Sequence, residues 1–291
     1  MLSLMLDRFL YADWDEPPAE MDFELPYARA ILRAAELAER LLSVQAPGGR
    51  DEWRDARSLY ALAPALVNVM LNYRICVEFG LVLHATEYID FTRKPGRVVR
   101  YLPETRKRAL ELYRESIDLA REAVRLDPGF PERARAFMGK LPPKLGDFVY
   151  TSRRDKYTWR ASEPERVRAL ATALRAGEGV PALALGAAHG AIMPGLLLAE
   201  YLGCPLWFVR FSMFKRRDAE PVVSATDEAV AREAGAGGTV VVFDEDCASG
   251  TTLRELAARL GPLVPRLKTA SVIRHASSAF APDYAGKTWW D

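Results

Sequence analysis

The chain has 291 residues, of which 49% are hydrophobic and 27% are charged, a composition typical of a globular protein with one or two domains. Its formal net charge of +1 excludes a general electrostatic attraction to nucleic acid or to an anionic membrane. Its three cysteines are widely separated and lack metal-binding spacing, so they indicate neither a disulfide framework nor a zinc site and favour a reducing cytoplasm.

Residues 1–145 are predicted to form an all-helical domain of four to five helices. Acidic residues from Asp7 onward come too early for a signal peptide. One helix begins at Pro103, and apolar residues recur after it at steps of three and four until LDPGF ends the pattern. The apolar stretch 65–89 is interrupted by Asn68 and Arg74, which predicts a buried helix and no membrane span.

Residues 146–291 are predicted to form an α/β domain. After a junction rich in Pro, Gly and charge, short apolar runs alternate with helical periods. The predicted strands are PALALGAAHG, a run that ends in glycine and small residues, CPLWFVRFS, TVVVFD and, last, TASVIRHA, with a polar loop from Lys215 to about Gly238. This alternation indicates a Rossmann-like parallel sheet flanked by helices, in which ligands bind at the carboxyl ends of the strands.

The segment DEDCASGTT follows one of these strands and opens a helix. The first turn of a helix, with a glycine and small hydroxyl residues, favours a bound phosphate. The carboxylates of Asp244, Glu245 and Asp246 would repel that phosphate, so they must serve a hydroxyl pair or a bound Mg²⁺. The segment therefore predicts a ligand with a phosphate at one end and a diol with metal at the other.

DEDCASGTT resembles the phosphoribosyl pyrophosphate loop of type I phosphoribosyltransferases. The resemblance implies that Asp244 and Glu245 are catalytic residues that contact the ribose hydroxyls, directly or as ligands of Mg²⁺. It implies a 5′-phosphate site made of Ala248, Ser249, Gly250, Thr251 and Thr252. Asp246 departs from the family, which has an aliphatic residue there, so this acid either alters metal binding or faces solvent.

A second segment, LGAAHGAIMPGLLLAEYLGCPL, is similar to the pyrophosphate loop of the same family. The similarity implies pyrophosphate contacts from Ala188, His189 and Gly190, with His189 in place of the usual arginine. It also places a catalytic lid at Lys215, Arg216 and Arg217. The resemblance covers roughly residues 160–291.

The carboxyl-terminal segment APDYAGKTWWD is similar to the tails of some 6-oxopurine transferases. By this likeness Trp289 and Trp290 are expected to stack on the acceptor base. Ala281 replaces the lysine expected before Pro-Asp, and Ala248 replaces an aspartate found in some purine-specific members, so the base and its proton acceptor stay open. His84 and His275 are interpreted as structural.

Together these likenesses imply a cytoplasmic, homo-oligomeric transferase that uses phosphoribosyl pyrophosphate and Mg²⁺ to place ribose 5-phosphate on a nucleobase-like nitrogen acceptor. A second reading is a catalytically weak or inactive module that binds phosphoribosyl pyrophosphate or a nucleotide in regulation or defence. A third is nucleic-acid contact through the basic stretch 93–108 and through SRRDKYTWR.

Overall fold

The structure, a computed structural model, describes residues 5–44, 48–82, 99–211 and 218–289. The chain divides into two compact units, which we call the helical unit, Met1–Asp13 with Pro17–Asp155, and the α/β unit, Trp14–Glu16 with Lys156–Asp291. The boundary predicted at residue 145 precedes this division, because a strand at Val149–Ser152 pairs within the helical unit.

The helical unit confirms the helices predicted for the amino-terminal half of the chain. Its described residues form α1 (Tyr27–Leu42), α2 (Arg50–Phe79), α3 (Pro103–Arg125) and α4 (Phe130–Met138). Two short strands that the sequence analysis did not predict, β1 (Phe23–Pro26) and β2 (Val149–Ser152), pair in antiparallel fashion. The unit is therefore mostly helical, with one small sheet.

Helix α2 forms the centre of the helical unit. The buried hydroxyl of Tyr27 donates to the Leu66 carbonyl oxygen at 2.8 Å. The fully buried guanidinium of Arg74 pairs with Glu78 at 3.1 Å and lies over the Tyr113 ring. By length and composition α2 could cross a membrane, but its apolar window is entirely buried. The prediction of a buried helix is confirmed up to Phe79, and residues 83–89 lie outside the described residues.

The α/β unit contains a five-stranded parallel sheet with helices around it, as predicted. The strand order is β4-β3-β5-β6-β7, and each neighbouring pair is parallel. The elements are, in chain order, α5 (Lys156–Ala161), α6 (Pro164–Glu178), β3 (Leu183–Ala188), α7 (Ile192–Leu202), β4 (Leu206–Arg210), α8 (Ala225–Gly237), β5 (Val240–Cys247), α9 (Thr251–Leu260), β6 (Leu267–His275) and β7 (Tyr284–Trp289).

Three elements of the α/β unit differ from the sequence prediction. Most of the predicted polar loop is helix α8, which begins with a capping box between Ser224 and Asp227. Strand β5 continues through the acidic residues to Cys247, because the long strand β6 pairs with it up to Arg274. TASVIRHA is not the last strand, since β7 follows it and pairs with β6.

The basic segment 152–160, one of the two stretches considered for contact with nucleic acid, forms ion pairs within the protein. Each of its four cations has an acidic partner within 4.0 Å: Arg153 with Glu24, Arg154 with Asp22, Lys156 with Glu16, and Arg160 with Asp15. These pairs reduce the positive charge that a phosphate backbone would meet. Of the other basic stretch, residues 93–98 lie outside the described residues.

Candidate active site

The two predicted ligand loops meet at the carboxyl edge of the sheet. Strands β3 and β5 are parallel neighbours, so the loop at Ala188–Gly190 lies beside the acidic end of β5. The peptide bond between Ala188 and His189 is cis. A Cβ atom on Gly190 would overlap the Glu245 carboxylate. Glycine at this position therefore allows the carboxylate from β5 to contact the loop after β3.

Asp244 is the buried acid of the site. Its side chain accepts a hydrogen bond from the Glu245 backbone N–H at 3.1 Å, and the residue is 8% exposed. Burial raises the pKa of Asp244, and hydrogen bonds with the Glu245 and Thr252 side chains offset part of this effect. The contact with Thr252 links the acid to the first turn of α9.

The raised pKa of Asp244 predicts how pH changes stability. A raised pKa means that the Asp244 carboxyl group binds its proton more tightly in the folded protein than in the unfolded chain. The free energy of unfolding of the wild type therefore falls as pH rises from about 4 through the raised pKa. We therefore expect Asp244→Asn to be more stable than the wild type at pH 7.5 in EDTA. The difference should shrink toward zero below pH 4. Thermal unfolding between pH 3.5 and 8 measures it.

Asp283 is the matched control for this pH prediction because its shift has the opposite sign. Partial burial would raise the pKa of Asp283, but hydrogen bonds from the Thr269 N–H and hydroxyl, each 2.8 Å, lower it overall. Asp283→Asn should therefore be less stable than the wild type from pH 7.5 down to about pH 4. The deficit should narrow only below that, as pH falls through the lowered pKa, so the unfolding of this variant is followed down to about pH 2. A pH-independent difference for both variants would contradict the assignment of these shifts.

The loop between β5 and α9 has the geometry of a phosphate-binding turn. Gly250 precedes α9 with φ of 73°, a left-handed conformation that disfavours side chains. The exposed Ser249 hydroxyl lies 3.0 Å from the Thr251 hydroxyl and accepts from the Thr251 N–H. The hydroxyls of Ser249 and Thr251 thus lie together at the positive end of the α9 dipole, with Ala248 exposed beside them, while Thr252 in the same turn contacts Asp244.

The acidic pair fits Mg²⁺ only as a partial ligand set. In the described part of the chain, no group of three or more His, Cys, Asp and Glu side chains could hold a metal ion. Mg²⁺ in nucleotide-type sites is bound by one or two carboxylates, and ligand phosphates and water complete the octahedron. Asp244 and Glu245, which are adjacent in β5, provide two such carboxylates.

Several predicted site residues lie outside the described residues, and one described residue, Trp289, has contacts that were not predicted. Lys215, Arg216, Arg217 and Trp290 lie outside the described residues, as does His84. The Trp289 ring is described and is surrounded by cations: Lys287 Nζ lies 4.3 Å, Arg166 Cζ 4.9 Å and Arg160 Cζ 5.1 Å from its centroid. Base stacking by Trp289 stays a prediction, and it requires a base to share this ring with the cations.

The sequence analysis missed an Asp–His pair at the same edge. Asp246 does not face solvent, because its side chain is 10% exposed and its two carboxylate oxygens lie 2.8 and 3.1 Å from His275 Nε2. The parallel register of β5 and β6 aligns Asp246 with Ile273, two residues before the histidine. The signals available in the sequence were the third acidic residue of DEDCASGTT and the histidine near the end of TASVIRHA. Only the register of the two strands shows that these residues meet.

Fold and site define a class: a Rossmann-like α/β domain with an acidic strand end, a phosphate-type turn and a glycine loop on the neighbouring strand. Residues 161–289 match the family model described as "Phosphoribosyl transferase domain". This part of the chain is therefore a phosphoribosyl transferase domain, in agreement with the resemblance found in the sequence. The match spans a little under half of the chain and leaves the helical unit unassigned.

Solved structures similar to this chain include a purine phosphoribosyltransferase from Pyrococcus horikoshii Ot3, at 22% identity over 45% of this chain and 86% of that chain, with a TM-score of 0.35. A hypothetical protein from Neisseria gonorrhoeae with bound ppGpp is 19% identical over 45% and 80% of the two chains (TM-score 0.37). A xanthine-guanine-hypoxanthine phosphoribosyltransferase from Helicobacter pylori is 18% identical over 43% and 79% (TM-score 0.32). No curated protein matches the sequence. The assignment of the domain rests on the family match.

Proposed function

We propose that the α/β unit binds phosphoribosyl pyrophosphate with Mg²⁺ and transfers ribose 5-phosphate to a nucleobase-like nitrogen acceptor, releasing pyrophosphate. The observation that carries the proposal is the contact between Glu245 and Gly190, which joins the acidic end of β5 to the loop after β3. One ligand can then span the hydroxyl-rich turn before α9, the acidic pair and the loop at Ala188–Gly190.

In this proposal the protein acts mainly by positioning and by electrostatic stabilisation. The turn at Ala248–Thr252 binds the 5′-phosphate, and Asp244 and Glu245 orient the ribose through its hydroxyls. Mg²⁺ held by these carboxylates would neutralise negative charge on the departing pyrophosphate. Ala188, His189 and Gly190 contact the pyrophosphate through their backbone and through an imidazole. As the bond from ribose C1 to pyrophosphate breaks, its electron pair leaves with the pyrophosphate, the acceptor nitrogen bonds to C1, and the proton of that nitrogen passes to solvent.

A turnover assay tests the proposal. The full chain is incubated with phosphoribosyl pyrophosphate, Mg²⁺ and one nucleobase at a time from a panel of purines and pyrimidines, and released pyrophosphate is measured. Release that depends on both one base and Mg²⁺ is expected. Binding of phosphoribosyl pyrophosphate without release for any base would replace the transferase with the binding-module reading, which the imidazole in place of a guanidinium at His189 favours.

A further inference from the structure

The carboxyl edge of the sheet also carries a polar pair, made of Asp246 on β5 and His275 on β6. The imidazole Nε2 lies between the two carboxylate oxygens, and the two side chains are 10% and 18% exposed. A carboxylate at one ring nitrogen fixes the orientation of a histidine. Asp246 also lies two positions before Ala248, where the proposed 5′-phosphate turn begins. The pair is therefore an oriented polar group on the strand that leads into the proposed 5′-phosphate turn.

An exposed aromatic ring accompanies this pair. The Tyr157 ring of α5 is centred 6.2 Å from the His275 ring, and Tyr157 is 56% exposed. Two residues along α5, the fully buried Trp159 stacks on Trp14 with ring centroids 4.5 Å apart. Because Trp159 fixes the helix, α5 presents Tyr157 at a defined position beside the imidazole.

The ring of Trp289, the residue predicted to stack on the base, is already in contact with cationic side chains. Three cations lie within about 5 Å of its ring centroid, and a ligand that stacked there would have to displace or share them. Tyr157 is exposed and next to a polar pair, so it meets the two requirements of a site for a planar heterocycle: a ring face for stacking and a hydrogen-bonding edge beside it.

We propose that Tyr157, His275 and Asp246 form the acceptor subsite, in which a planar nitrogen heterocycle lies against the Tyr157 ring and its polar edge contacts the imidazole oriented by Asp246. This inference rests on the proposed function and adds to it the residues that select the acceptor. His275 touches the acceptor, and Asp246 acts as a positioning residue through His275. Polar contacts of this kind discriminate between heterocycles more strongly than apolar ones do.

The test isolates the contribution of the base from that of the phosphate. The full chain is titrated calorimetrically with ribose 5-phosphate and, separately, with the 5′-monophosphates of adenosine, guanosine, inosine and uridine. The ratio of the Kd for ribose 5-phosphate to that for each nucleotide measures the base contribution. We expect at least one nucleotide to bind the wild type about 10-fold or more tightly than ribose 5-phosphate, since stacking of a base on one aromatic ring strengthens binding by about this factor or more.

Variants then assign this advantage to residues. Tyr157→Leu should reduce it about 5-fold or more, whereas Tyr157→Phe, which keeps the ring, should retain it. Asp246→Asn and His275→Gln should change the ranking of the four nucleotides. All four variants should bind ribose 5-phosphate as the wild type does. Tyr11→Leu, which removes a 65% exposed tyrosine from the helical unit, is the matched control and should change nothing.

The possible outcomes separate the two proposals. If ribose 5-phosphate does not bind the wild type, both the proposed function and this inference fail. If ribose 5-phosphate binds but no nucleotide binds more tightly, or if Tyr157→Leu and His275→Gln keep the wild-type advantage and ranking, the acceptor subsite is wrong while the phosphate site stands. Weaker binding of ribose 5-phosphate in the Tyr157, Asp246 and His275 variants would show a structural role and would also overturn the inference.

Discussion

Replacing Arg210 with methionine is expected to lower the free energy of unfolding by about 3–5 kcal/mol, because it removes the guanidinium that is paired with a carboxylate that stays buried. Arg210, the last residue of β4, binds Asp218 through Nη2–Oδ1 and Nε–Oδ2 contacts of 2.7 and 3.3 Å. The side chains are only 4% and 8% exposed. Urea-induced unfolding of the full chain, followed by circular dichroism and tryptophan fluorescence, measures the loss.

Two further variants test whether the loss of stability in Arg210→Met depends on the burial of the ion pair. Arg210→Met/Asp218→Leu replaces both charges with apolar groups and should recover most of the lost stability. Arg259→Met breaks the ion pair between Arg259 and Glu228, in which the two side chains are 49% and 23% exposed. This variant should lower the free energy of unfolding by about 1 kcal/mol or less. Equal losses for Arg210→Met and Arg259→Met would contradict the account, and so would a double variant no more stable than Arg210→Met.

Gly250→Ala is expected to weaken binding of phosphoribosyl pyrophosphate about 100-fold, because a hydrogen bond to a charged group contributes about 1.5–3 kcal/mol, and a loss of about 2.7 kcal/mol corresponds to 100-fold. Gly250 has φ of 73°, and an added Cβ would overlap the Cβ of Phe280 and lie 2.6 Å from its Cγ. The turn must then move away from Phe280, and the backbone amides that face the 5′-phosphate move with it. Calorimetric titration measures the change.

Gly203 is the matched control for Gly250. It ends α7 with φ of 67°, and an added Cβ there would meet no atom within 4 Å. Gly203→Ala therefore introduces the same left-handed strain, about 1–2 kcal/mol, without the steric overlap. It should lower the free energy of unfolding by that amount and leave the Kd for phosphoribosyl pyrophosphate unchanged. Equal losses of affinity in the two variants would refute the steric role of Phe280.

Much of the α/β unit could be predicted because its signals are local. Apolar runs that end in glycine mark β3 and its loop, and the acidic run followed by SGTT marks the end of β5. The capping box between Ser224 and Asp227 was equally local, and it identifies the start of α8 although the surrounding residues read as a polar loop. For these elements, residues that are close together in the sequence are enough to predict where the element begins or ends.

The remaining features depend on residues far apart in sequence. Strand β7 exists because β6 offers it a parallel edge, and YAGKTW has no strong strand pattern of its own. The pairing of Asp246 with His275 follows from the register of β5 against β6, which is fixed by packing of the whole sheet. The stacking of Trp14 on Trp159 joins positions 145 residues apart, and no local pattern predicts it.

The most direct test of the central claim is calorimetric titration of phosphoribosyl pyrophosphate into the full chain, with and without Mg²⁺, beside the Asp244→Asn/Glu245→Gln variant. We expect the wild type to bind with an affinity that depends on Mg²⁺, and the variant to lose this dependence along with most of the affinity. An intact protein that binds nothing, or that binds equally with and without the two carboxylates, would contradict the assignment of the acidic end of β5 as the ligand site.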